Sequence, residues 1–144
     1  METTTVDVAG WVQAALDDVT PGQFLLLEYL SDEDLPVEPY AQAAIDPGGW
    51  HCEVVSARYL PVHRWPLDER ALLRAGWQAP CDRTENWWRT DVDLELAAQL
   101  LVDALWVGRA CADADRYAIS IGTFPPGPGG GRPLPAPDGL PLAA

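Results

Sequence analysis

Three stretches with the two-residue period of β-strands follow one another in the first half of the chain, and this order constrains the fold most. Residues 23–30 are rich in Phe and Leu and apolar on both alternating faces, as a central strand is. Residues 40–45 and 51–59 follow, joined by the turn Asp46-Pro47-Gly48-Gly49. In the third stretch Cys52, Val54 and Ser56 share one face, while Glu53, Val55, Ala57 and Tyr59 share the other. Strands in consecutive hairpin order predict an antiparallel sheet.

The helices surround these strands in sequence. Val8, Trp11, Val12, Ala15 and Leu16 fall at helical spacing and predict an amphipathic helix ending near Asp18, because Pro21-Gly22 follows at once. Residues 67–75 predict a short helix capped by Asp68, stapled by Leu67 and Leu72, and stopped by Gly76. A brief strand is expected over 86–90. Thr90-x-x-Asp93 then has capping-box spacing and opens the longest helix, about 91–110. Leu94, Ala97, Leu101, Ala104 and Leu105 line its core face, and residues 117–124 read as a last strand or an extended arm. The order helix, three strands, helix, strand, helix is an α+β domain, an antiparallel sheet with helices packed on one face.

After Phe124 the pattern stops. Of the last 20 residues, 12 are Pro or Gly, which leaves little reason to fold alone. Residues 1–124 are therefore read as the domain and 125–144 as a flexible, polyproline-like tail.

Charge excludes several function classes. The chain carries 22 acidic residues against nine basic ones, all arginine, for a net charge of −13. Nucleic acid needs counter-charge from its protein, so it is not expected as a partner. Without lysine there is no Schiff-base chemistry and no phosphate-loop GK[ST]. The N-terminal residues lack the basic start and apolar run of a signal peptide, and no apolar stretch could span a bilayer, so no membrane association is expected. Three widely spaced cysteines, an odd number, suit a reducing cytoplasm.

The chemistry-bearing residues do not form a catalytic pattern. His51, Cys52, His63, Cys81 and Cys111 lack the close pairs of a zinc site, so no metal and no cofactor are expected. Asp82 beside Cys81 works against a thiolate nucleophile. Glu28 and Glu53 sit inside apolar strands, where an edge position or a partner in Arg58 or Arg89 explains them better than proton transfer between the two. The tryptophans are more informative. There are seven, and Trp50, Trp65, Trp77, Trp87 and Trp88 fall in the middle third. On one short strand Trp87 and Trp88 must point opposite ways, one into the core and one outward. An aromatic face on an acidic protein suits a basic or amphipathic polypeptide.

The run Cys52-Glu53-Val54-Val55-Ser56-Ala57-Arg58-Tyr59-Leu60, the helix exit Leu72-Leu73-Arg74-Ala75-Gly76-Trp77-Gln78-Ala79-Pro80, and Asn86-Trp87-Trp88-Arg89 before a long helix resemble one known superfamily. It groups type III secretion chaperones with YbjN proteins, the TY-Chap domains, and the likeness is to its actinobacterial branch over residues 5–112. The resemblance implies an α+β fold with a helix on either side of an antiparallel sheet, frequent dimers, no catalytic residues, and binding of a partner's polypeptide segment. The family commonly continues through a proline-marked loop after the long helix, whereas residues 110–118 here contain no proline. Tyr59, Trp65, Trp77, Trp87 and Trp88 are the expected peptide contacts, with Arg58 and Arg89 positioning the ligand. An acidic immunity or antitoxin protein, masking a basic partner, is the alternative expectation.

Overall fold

The computed structural model describes residues 5–31, 38–60, 62–63, 65–81 and 84–124. The proline-rich segment 125–144 and the acidic run 32–34 lie outside these residues. Five strands form one sheet in the order β4-β3-β2-β1-β5, every neighbouring pair antiparallel. The strands are β1 (Gln23–Tyr29), β2 (Tyr40–Asp46), β3 (Gly49–Val54), β4 (Trp87–Val92) and β5 (Tyr117–Thr123). The helices are α1 (Thr5–Leu16), α2 (Glu69–Arg74) and α3 (Leu94–Trp106).

The expected α+β fold is what is seen, and residues 117–123 are a full edge strand of the sheet. Alternation along each strand sends Leu25, Leu27, Ala41, Ala43, Cys52, Val54 and Trp87 into one core with Val8, Val12 and Leu16 of α1 and Leu101 and Leu105 of α3. α1 packs against α3, and Leu72 of α2 joins the same core, so all three helices lie on one face. This corrects the arrangement implied by the family resemblance, a helix on either side. The opposite face carries a smaller cluster, Tyr40, Val55, Tyr59 and Leu60, supplied by the loop after β3 instead of a helix. Among the described residues no helix is long and apolar enough to cross a membrane.

Local signals account for most boundaries. Asp68 accepts a hydrogen bond from the Ala71 amide as the cap of α2, and Gly76 beyond it has φ +89°, a left-handed stop that favours glycine. Of the boundaries that differ from expectation, two have a visible cause. β3 ends at Val54 because the Ser56 amide donates to the Asn86 side chain (3.1 Å), which takes it out of the ladder. α3 starts only at Leu94, because Asp91 turns left-handed (φ 60°) and Asp93, not Thr90, caps the helix by accepting from the Leu96 amide (2.8 Å). The Thr90 hydroxyl instead meets Asp46 at 3.3 Å.

Arg109, just past α3, is fully buried, and among the described residues no carboxylate pairs with it. Its guanidinium donates to the Val55 carbonyl from Nε and Nη2 (3.3 and 3.0 Å) and to the Trp65 and Pro66 carbonyls from Nη1 (3.2 and 3.4 Å). Burial lowers its pKa to about 10, so it stays charged at neutral pH, beside the negative end of the α3 dipole.

Two substitutions test these assignments in chemical denaturation. Arg109→Met leaves the buried Val55 carbonyl and the part-buried Trp65 and Pro66 carbonyls without this donor and should cost about 3 kcal/mol, with Arg109→Lys recovering only part, since an ammonium cannot reproduce the planar fork. Asp93→Ala should cost about 1 kcal/mol, the usual worth of a helix cap, and more than Thr90→Ala does.

Candidate functional site

Val54 and Trp87 form the last rung between β3 and β4, and beyond it the two chains part. Residues 56–58 leave on one side, Pro80, Cys81 and Glu85 stand on the other, and Leu67 and Glu69 at the entry to α2 close the gap. The result is an open cavity of about 500 Å³. Trp87, Leu67, Pro80 and Ala57 supply apolar walls, and Arg58, Glu85 and Glu69 supply charge. Cys81, an exposed free thiol, stands in the same wall.

The floor is fixed by a hydrogen-bond relay through the chain's single asparagine. Asn86 accepts from the Ser56 amide and donates to the Tyr40 hydroxyl at 3.1 Å, with the Glu53 carboxylate at 3.5 Å. The Ser56 hydroxyl donates to the Glu85 carbonyl at 2.7 Å and accepts from the Arg58 amide at 3.2 Å. Burial raises the Tyr40 pKa well above its ordinary value, so that hydroxyl remains neutral. The rim is looser. Arg58 and Glu85 pair at 3.6 Å with both side chains about half exposed, a contact worth about 0–1 kcal/mol, so it can open readily to a ligand.

Of the seven residues expected to contact peptide, the cavity brings together Arg58 and Trp87. Trp87 points into the core and Trp88 to the opposite face, as the alternation requires; Trp88 is half-buried and stacks on His51, with ring centres 6.5 Å apart. Trp77 is buried under the end of α2, and Tyr59 is buried in the small cluster beside Tyr40. Trp65 meets Tyr29 edge to face at 5.8 Å, at the far end of β1. Arg89 donates to the Ala75 carbonyl and so holds the exit of α2. Glu69, Glu85, Leu67 and Pro80 were not legible as site residues, since they meet only through the fold.

The two strand carboxylates also differ from expectation. β1 and β3 are interior strands, so neither Glu28 nor Glu53 sits on an edge. Glu53 is buried with His51 Nε2 at 2.9 Å and Asn86 as partners, whereas Arg58 pairs with Glu85. Glu28 and Glu53 stand two strands apart. Burial, helped by the charge of Glu38, raises the Glu28 pKa from 4.5. Its raised folded pKa means that stability present below the unfolded pKa is lost as pH rises through the folded one. Glu28→Gln should therefore match the parent melting temperature near pH 4 and exceed it at pH 7.

A family model described as T3SS (YopN, CesT) and YbjN peptide-binding chaperone 3, TY-Chap3, matches residues 7–110. The match spans most of the chain and takes in nearly all of α1, the whole of α2 and α3, β1 to β4 and the cavity. No curated protein and no solved structure matches the chain.

Proposed function

The chain belongs to the TY-Chap3 family of peptide-binding chaperones, and from that membership we propose a non-enzymatic module that holds a polypeptide segment of a partner. The observation that carries the assignment of a site is the cavity beyond the β3–β4 rung. Its volume lies in the range of small-ligand sites, and its apolar walls are ringed by charge. In this reading one apolar side chain of the segment seats against Trp87, Leu67 and Pro80. Arg58 engages the segment's backbone carbonyls or a carboxylate, and Glu69 and Glu85 favour a basic residue beside the anchor. Tyr59, Trp77 and Arg89 act by holding the walls. Trp65 and Trp88 lie elsewhere and are not needed for this contact. The odd, widely spaced cysteines favour a cytoplasmic setting for such a module.

Magnitudes define the affinity. Burying one large apolar side chain contributes about 1.5–3 kcal/mol, short of the roughly 8 kcal/mol of micromolar binding. The segment must therefore add backbone and flanking contacts, and binding of short peptides should be weak.

Calorimetric titration with a peptide carrying Leu or Phe between arginines tests this. Ala57→Phe, at an exposed position in the wall, fills the cavity and should weaken binding at least tenfold with an unchanged melting temperature. Trp88→Ala should leave binding intact. Loss in Trp88→Ala with full binding in Ala57→Phe would move the site to the opposite face of the sheet.

A further inference from the structure

Among the described residues, the loop after β3 covers one end of the sheet face opposite the helices. Tyr59 and Leu60 lie there with Tyr40 and Val55, and Leu26 packs against them. Toward the other end, the register aligns Gly122 of β5, Phe24 of β1, Ala44 of β2 and His51 of β3 on the same face. Trp88 of β4 stacks on His51. Phe24 and Trp88 are half-buried and join neither apolar cluster. With only the methyl group of Ala44 between the rings of Phe24 and His51, this end of the face is a shallow aromatic trough.

The chain leaves β5 on that same face. Phe24 lies so close over Gly122 that a Cβ there would stand 2.6 Å from Cζ, and Phe124 packs on Phe24 with ring centres 5.2 Å apart. The Phe124 amide donates to the Gly22 carbonyl at 2.9 Å and so fixes the exit. By strand spacing, His51 is about 16 Å and Trp88 about 23 Å from Phe124. Residues 125–131, four of them glycine, span up to about 22 Å and can bring residue 132 to these two rings. The cavity beyond Val54 and Trp87 is farther along the strands and on the helix-bearing side, so the trough is the nearer aromatic surface.

We propose that the trough is the docking surface for the chain's own segment Arg132-Pro133-Leu134-Pro135-Ala136-Pro137, bound as a polyproline helix. Every residue of that segment is a proline or precedes one, and both positions favour this conformation, so little entropy is lost on binding. A sheet face offers rings but no backbone partners, which suits a segment poor in amide donors. Three residues per turn set Leu134 and Pro137 on one ridge, against Trp88 and His51, and Arg132 and Pro135 on the next. Arg132, the one basic residue of 125–144, then turns toward Asp46, which lies two residues from Ala44 on the same face. The short tether holds the segment at an effective concentration of about millimolar, so a weak contact suffices. The inference stands apart from the cavity reading.

A spin label tests it in the full chain. In a Cys81→Ser background, where Cys52 and Cys111 are buried, Ala136→Cys carries a nitroxide on the ridge turned away from the sheet. In NMR spectra the label should broaden the Trp88 indole N–H and the Ala44 methyl, and spare Ala57 at the cavity and Trp11 on α1. Adding Leu134→Asp and Arg132→Glu should reduce the broadening at Trp88 by about threefold or more, as loss of a millimolar-grade contact requires, at an unchanged melting temperature. Even broadening of every surface around Phe124, or broadening that persists in the double variant, overturns the proposal. Broadening centred on Ala57 overturns it in favour of the cavity. Equal broadening with the spin label and the isotope label on separate molecules overturns it in favour of a segment supplied by another chain.

Discussion

The buried guanidinium of Arg109 is the contact on which the candidate site depends. It grips the loop after β3 at both ends, through the carbonyls of Val55 and of Trp65 and Pro66. Ser56, Ala57 and Arg58 leave directly from the first grip, and Leu67 follows the second. Two walls of the cavity are thus set by one cation. Taking a charge out of water is costly, and here the cost is offset by four hydrogen bonds to three carbonyls and by the end of α3. Arg109 follows α3 with only Val107 and Gly108 between them, so the cavity is positioned by the helix on the far side of the core.

This explains how one face of the sheet does without a helix. On the helix side, alternating apolar residues meet α1 and α3. On the other, the loop from Ser56 lays Tyr59 and Leu60 against Tyr40, and Asn86 and Glu53 supply polar partners beneath. Where that loop leaves β3 it parts from β4 beyond the Val54–Trp87 rung, and the cavity is the gap left there, at the end of the helix-bearing face.

How much of this was legible in the sequence follows from the range of each contact. Strand periodicity, the Asp68 cap, the Gly76 stop and the opposed faces of Trp87 and Trp88 are local, and each is read within a few residues. The end of β3 depends on Asn86, 30 residues away, and the Arg109 clamp joins residues 43 to 54 apart. Neither leaves a mark on local pattern. The tryptophans were misleading for a related reason. Their crowding in the middle third marks where large rings are needed, but Trp77 and Trp87 fill core beneath α2 while Trp88 stacks on the other face. One-dimensional clustering does not make a surface. Arg58 belonged to the cavity because it follows the strand end directly, not because it stood among aromatics.

The acidity of the chain acquires a definite place in this geometry. Several carboxylates serve as caps, as Asp68, Asp93 and Asp113 do, and so are committed to backbone amides. Glu69 and Glu85 are different, because they flank apolar walls that no side chain of the described residues fills. A basic segment gains there from two acids and from exclusion of water, while Arg58 opposes a second cation at the same spot. On the proposed reading the rim selects for one positive charge beside one apolar anchor, rather than for positive charge in general. The overall charge of −13 makes copies of the chain repel one another. On that reading selectivity comes from the short rim and capacity from the walls, which separates the charge of the protein from the chemistry of the proposed site.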